Sequence, residues 1–224
     1  MDNLARFYIQ QGKLHEAEQA LRQGLRSPNM QPSDISGFPK IYRELAAAFE
    51  QGGGAKEAEA AYREAVALSE RLLAIVPDNP NFQKDVAWYL ATCPVPQLRD
   101  PARAVELARK ATEKQPVASN WKTLGVALYR AGVWKAAIEA LEKSEVLAPD
   151  KNLAFNGLFL AMAHWQLGRR DEARLWYERA VQWMDKHVPN HRELRRFRAE
   201  AAAVLGLPEP TAPARKEVPR PSKR

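Results

Sequence analysis

Between Ala118 and Lys151 the sequence carries a spacing of large and small residues that returns elsewhere in the chain, and this recurrence dictates the fold class before composition is considered. Trp121, Leu124 and Leu128 fall on one face of a first helix, and Gly125 beside them carries no side chain, so a second helix can approach its backbone closely. Gly132 suits the left-handed residue that ends the first helix. Ala137 and Leu141 face inward on the second, and Pro149 stops it. The unit is a helical hairpin of about 34 residues. The same template fits residues 154–187 through Leu160, Ala161, Gly168, Ala173, Tyr177 and Ala180. It fits residues 39–72 through Tyr42, Leu45, Ala46, Phe49, Gly53, Ala58, Tyr62 and Ala65. Leu4, Ala5, Tyr8, Gly12, Ala17 and Leu21 place another unit at residues 1–31, with Met1 already inside its first helix, so the array is expected to begin in mid-repeat.

Residues 79–116 form an irregular member. Val86, Ala87 and Leu90 suit a first helix, and Ala104, Ala108, Ala111 and Pro116 a second, but the connection CPVPQLRDP is about five residues longer than the usual turn. Its prolines are expected to end one helix after Cys93 and to leave Asp100 capping the next. A last amphipathic helix, residues 190–206, places Leu194, Phe197, Ala201, Val204 and Leu205 on one side and charges on the other, the pattern of a solvating end cap. Each hairpin leaves an apolar face for its neighbour, so residues 1–207 are expected to stack into one all-α solenoid, a right-handed superhelix with a capping helix. Residues 208–224 contain five prolines and no apolar periodicity, and are expected to form a disordered basic tail.

The 46% apolar content suffices for a sizeable core. The apolar runs, such as Leu158–Ala163, are too short for a bilayer span of roughly 20 residues. No secretory signal pattern opens the chain, and the single cysteine, Cys93, excludes an internal disulfide, so a reducing cytoplasmic location is expected. The 34 basic and 27 acidic side chains give +7, but five basic and two acidic ones follow Leu207, leaving about +4 for the body. That excess favours acidic partners and falls short of the dense basic face of a dedicated nucleic-acid binder.

These residues and spacings resemble the tetratricopeptide-repeat family over nearly all of residues 1–207. The segments WYLATCP, LRDPARAVELARKA, WKTLGVALYRAGVWKAAIEALEKS, FLAMAHWQLG and ELRRFRAEAAAVLG further resemble the C-terminal repeat regions of planctomycete-type bacterial proteins, where such repeats often follow a serine/threonine kinase domain. The chain itself has no glycine-rich phosphate loop, no HRD and no DFG. The resemblance implies a non-catalytic protein-interaction scaffold, without cofactor or metal, with a concave groove lined by the first helices. Mapped here, the groove is expected to include Lys40, Arg43, Lys84, Trp88, Lys122, Val126, Tyr129, Arg130, Met162 and Trp165. In that reading Lys84, Lys122 and Arg130 meet carboxylates of an extended peptide, and Trp88, Tyr129 and Trp165 anchor it. Lys122 is followed four residues on by Val126, not by the asparagine with which some relatives clamp a C-terminal carboxylate.

The other chemistry-bearing residues read as structural. HEAEQ at His15 lacks the second histidine of a zinc-protease helix, since Gln19 stands there. His187 and His191 are separated by Pro189 and do not share a helix face. Cys93–Pro94 resembles a short haem-binding dipeptide, but a helix end accounts for it. Glutamates recur beside basic residues at helical spacing, as in Glu139 with Lys143, and read as exposed pairs. Two alternatives to groove binding are self-association or packing through Trp134, Trp176 and Trp183, and docking of the basic tail on nucleic acid or anionic membrane.

Overall fold

The computed structural model describes residues 2–26 and 36–208, and the proposed tail lies almost entirely outside the described residues. Eleven α-helices and no strand occur among them. They form five successive pairs: α1 (Asp2–Gln10) with α2 (Leu14–Leu25), α3 (Phe38–Gln51) with α4 (Ala55–Ile75), α5 (Pro80–Thr92) with α6 (Pro101–Lys114), α7 (Ala118–Arg130) with α8 (Trp134–Leu147), and α9 (Leu153–Gln166) with α10 (Arg170–His187). The closing helix is α11 (Arg192–Leu205). Helices within a pair pack most heavily on each other, and each pair then packs on the next, giving an α-solenoid.

The turns explain the regular pairs. Gly12, Gly53, Gly132 and Gly168 each adopt a positive φ between 73° and 82°, reversing the chain between the two helices. The third pair has no such glycine. Its helices are joined by residues 93–100, which include a short 3-10 turn at Pro96–Leu98 and are tied back by Arg99 Nε donating to the Cys93 carbonyl at 2.6 Å. As the sequence leads one to expect, Cys93 closes α5 and the Asp100 side chain caps α6, accepting from Arg103 N at 2.9 Å.

Small residues set the spacing within pairs. A Cβ on Gly125 would stand 2.5 Å from Leu141 Cγ and 3.1 Å from the Ala137 carbonyl, so α7 and α8 touch where the sequence places its glycine. Gly157 plays the same part against Ala180 and Trp176 in the last pair, a contact the repeat template does not single out. The buried apolar residues form two clusters. One joins the first two pairs around Leu21, Ile41, Tyr42 and Leu45, and burial there pushes the Tyr42 phenol up to about 12. The larger cluster runs from α5 to α11 and includes Leu124, Leu141, Phe159 and Phe197.

The last helix departs from the stacking rule. Against the preceding pair, α7 packs mainly on α6 and α9 mainly on α8, each on that pair's second helix. α11 does the reverse: it packs chiefly on the first helix α9 and only lightly on α10. It therefore leans over the face made by the first helices instead of simply extending the stack.

Candidate functional site

Charged and aromatic side chains gather on the face made by α3, α5, α7 and α9, and α11 lies across it. Glu193, Phe197 and Glu200 recur at i, i+4 and i+7, which puts all three on one stripe of α11. At one end of the stripe Arg43 of α3 donates to Glu193 Oε1 at 2.7 Å, and the Trp88 indole N–H of α5 donates to the same oxygen at 3.2 Å. At the other end both terminal nitrogens of Arg130, from α7, donate to the two oxygens of Glu200, with Nη2···Oε2 at 2.8 Å. Between them Phe197 is fully buried among Trp88, Phe155 and Phe159, its ring centroid 5.0 Å from that of Phe159 in an edge-to-face packing. Leu194, Ala201 and Leu205 are buried beside it.

Further bonds run the same way. Arg196 of α11 donates to the Thr92 carbonyl at 2.7 Å, and Arg192 donates to Glu50 at 3.0 Å. The start of α11 is fixed by His191, whose ring nitrogen accepts from Leu194 N at 3.3 Å, and its end by Gly206 at φ 68°. Lys122 sits between the Trp88 and Phe155 rings, its Nζ 5.0 and 4.8 Å from their centroids. Burial, offset in part by the Glu193 charge, holds its ammonium below the ordinary lysine range. No carboxylate among the described residues lies within ion-pair distance of it. Arg43 stacks over the Tyr89 ring at 4.6 Å, and although burial works against its charge, Glu193 and Tyr89 outweigh that and favour the cation.

α11 does not fill the whole face. Between α3 and its first turn remains an open cleft of about 500 Å³, walled by Lys40, Arg43, Glu44, Ala47 and Glu50 on one side and His191, Arg192, Glu193 and Arg196 on the other, with Tyr62 and Pro94 also lining it. Burial, reinforced by the Glu50 carboxylate that accepts from it at 3.3 Å, pushes the Tyr62 phenol up. Lys40 projects into this opening without an ion-pair partner among the described residues.

Family models described as tetratricopeptide repeat match residues 1–27, 97–152 and 158–186, half of the chain between them. The chain is a tetratricopeptide-repeat protein. No curated protein matches it. Among solved structures it resembles PilW, a widely conserved type IV pilus biogenesis factor, at 17% identity and a TM-score of 0.57, covering 91% of this chain and 84% of that one. It also resembles MamA 41-end from Desulfovibrio magneticus RS-1, at 16% identity and TM-score 0.56 over 83% of this chain and 94% of that one. A third, MamA AMB-1, stands at 21% and 0.51 over 82% of this chain and 96% of that one. At such identities the likeness is one of fold.

The residues expected to line a groove along the first helices of this tetratricopeptide array fall into three groups. Lys40 and Arg43 border the open cleft. Trp88, Lys122, Tyr129 and Arg130 do face the groove region but belong to the bed of α11 or to the packing around it: Tyr129 is buried edge-on to Phe159 at 5.5 Å. Of the remaining four, two are placed where no ligand reaches them and two are partly exposed. Val126 and Met162 are fully buried core residues. Lys84 turns to its neighbour Asp85 at 3.1 Å, and Trp165 lies half-buried under the Arg170 guanidinium, 3.5 Å from its ring centroid. The carboxylates that meet Arg43 and Arg130 are those of the protein's own last helix. Glu193, Glu200 and Phe159 were not singled out by repeat phase. The signal for the first two was the stripe they share with Phe197.

Among the described residues no helix is long and apolar enough to cross a membrane, and no group of three or more His, Cys, Asp or Glu is gathered as for a metal. Trp176 and Trp183, two of the three tryptophans considered for self-association, are half-buried; one lies under Arg179 at 4.7 Å and the other against His187 at 4.7 Å.

Proposed function

We propose that the protein is a non-catalytic scaffold that receives a segment of a protein partner on its concave face, with Lys40 and Arg43 directing acidic groups into the cleft that α11 leaves open. The tetratricopeptide fold supports a protein-interaction role in general. The observation that carries the finer reading is the composition of that cleft: around the short apolar surfaces of Ala47 and Pro94 its walls hold Arg43, Arg192 and Arg196, which Glu193 and Glu50 answer, and Lys40, which has no carboxylate partner among the described residues. Positive side chains flanking a small apolar floor suit an extended acidic peptide, whose carboxylates gain charge-assisted bonds while its backbone lies against the floor. Attachment of such a scaffold to a kinase, as in the repeat regions it resembles, would place the cleft as a partner-recruiting element.

The test is capture of binding proteins from source lysate by the intact chain and by a Lys40→Glu, Ala47→Trp variant of unchanged helicity, which reverses one wall and fills the floor. A partner captured by the intact chain and lost by the variant supports the cleft. Equal capture by both removes it and leaves the convex tryptophans, checked through the oligomeric state of a Trp134→Ala, Trp183→Ala variant by light scattering.

A further inference from the structure

We propose that α11 is a replaceable occupant of the concave groove, and that the protein takes in its place an amphipathic α-helix of a partner protein bearing two carboxylates seven residues apart with a large apolar side chain between them. The inference rests on the reading of the concave face as the binding face, and names the chemistry of its ligand.

Four observations carry it. First, α11 packs as a ligand lies in a groove: its principal support is the first helix α9, and its polar bonds go to α3, α5 and α7, with the Arg198–Asp185 ion pair at 2.7 Å the one that reaches its stack neighbour α10. An apolar helix face laid into a groove with charges at its rims is a recurrent mode of peptide recognition. Second, the bed is chemically complete for one ligand type. Arg43 and Arg130 take the two carboxylates, and Trp88, Phe155 and Phe159 form the box for Phe197. Third, α11 leaves one groove cation unanswered. Lys122 lies deep between two rings with no carboxylate at ion-pair distance, so a helix that brings an acid closer to it than Glu193 has an interaction α11 lacks. Fourth, α11 is the last helix described, follows α10 through the short connection 188–191, and touches α10 only by light packing and the Arg198–Asp185 ion pair, so its release leaves the five helix pairs standing. In a solenoid, stability is nearly a sum of local terms, and a terminal element opens at lower cost than the whole.

The mechanism is a competition at one site. A helix supplied in trans binds with its intrinsic dissociation constant divided by the fraction of molecules in which α11 has left, so anything that loosens α11 tightens trans binding by the same factor.

The experiment measures fluorescence anisotropy of a labelled peptide with the sequence of residues 190–207 titrated with the full chain. Wild-type protein should bind it weakly. Phe197→Ala, which empties the aromatic box in cis but leaves Phe in the peptide, should bind roughly 100-fold or more tightly, the open population rising with the cost of truncating a buried phenylalanine. Adding Arg130→Glu to that background should abolish the gain. Should Phe197→Ala lose its helicity, the Glu193→Ala, Glu200→Ala variant, whose apolar stripe is intact, decides the matter with an expected gain of about 30-fold or more. Hydrogen exchange of the wild-type chain provides a readout without mutation: α11 amides should exchange faster than those of α7 and α9. Peptide affinity unchanged in the folded variants, or α11 exchanging only together with α7 and α9, overturns the proposal. The Lys40→Glu, Ala47→Trp variant should bind the peptide as its parent does, so loss of partner capture there and loss of peptide binding here report on separate readings.

Discussion

The Arg130–Glu200 clasp allows a quantitative test of how α11 is held. The Arg130 side chain is 10% exposed and Glu200 29% exposed, so the two are desolvated unequally. Replacing Glu200 by Ala strands a guanidinium that keeps only its bond to the Ala91 carbonyl, Nε to O at 3.1 Å, and cannot turn to water. Breaking a fully buried pair from one side costs about 3–5 kcal/mol, and the partial exposure of Glu200 reduces this to roughly 2–3 kcal/mol. Replacing Arg130 by Met keeps the stem over the Phe159 ring and lets Glu200 regain water, so the cost should be smaller, about 1–2 kcal/mol. The doubly substituted chain should resemble Arg130→Met alone, giving a coupling equal to the Glu200→Ala cost, about 2–3 kcal/mol. Urea unfolding of the four chains, followed by circular dichroism and by hydrogen exchange in α11, measures the cycle. Because the pair is shielded, the coupling should survive 1 M salt, where surface pairs fade. Costs that add to within about 0.5 kcal/mol, or a greater loss for Arg130→Met than for Glu200→Ala, would refute the argument.

Other perturbations test separate parts of the molecule. Gly125→Ala gains about 1 kcal/mol of helix propensity but drives a Cβ to 2.5 Å from the buried Leu141 Cγ; the overpacking cost of roughly 1–3 kcal/mol should win, and Leu141→Ala should cost less in that background than alone. Burial of His164, whose ring nitrogens have no hydrogen-bond partner, together with the Arg169 charge lowers its pKa in the folded chain. The unfolded chain therefore binds the proton first: stability is full above the unfolded value of about 6.5 and falls as pH drops below it, and His164→Leu should flatten that part of the urea-midpoint profile. Cys93 is buried and its thiol is pushed up by that burial, so a thiol reagent near neutral pH should label it much more slowly in the native chain than in urea.

Most of the fold was legible because it is written in local spacing. Gly125, Gly132, Ala137 and Pro149 act within one hairpin, and each has the role its chemistry implies: close approach, a left-handed turn, a packed crossing and a helix stop. The long third connection was legible for the same reason, since Pro94 and Asp100 act on their immediate neighbours. Repeat phase was a poorer guide to exposure. It placed Val126 and Met162 on the groove side of their helices, but eight of the thirteen positions in α7 and eleven of the fourteen in α9 are buried, because helices lie on both flanks and α11 covers the remaining face.

The place of α11 was beyond local reading for a definite physical reason. An amphipathic helix with Leu194, Phe197, Ala201 and Leu205 on one side satisfies equally well the last step of a stack and the bed of a groove, since both offer apolar surface. What separates them is where the charges at the edge of the stripe find partners. Those partners lie far away in sequence: Arg130 is 70 residues from Glu200, Trp88 105 and Arg43 150 residues from Glu193. A stack position would leave Glu193 and Glu200 in water, where a carboxylate loses nothing, so the charges impose no penalty that a helix-by-helix reading could detect. Over the first helices the same two carboxylates instead neutralise Arg43 and Arg130, and Phe197 fills a box that would otherwise expose three rings. The sequence reading looked for carboxylates of an extended peptide to meet these cations, and in the structure the carboxylates that meet Arg43 and Arg130 belong to a helix of the same chain.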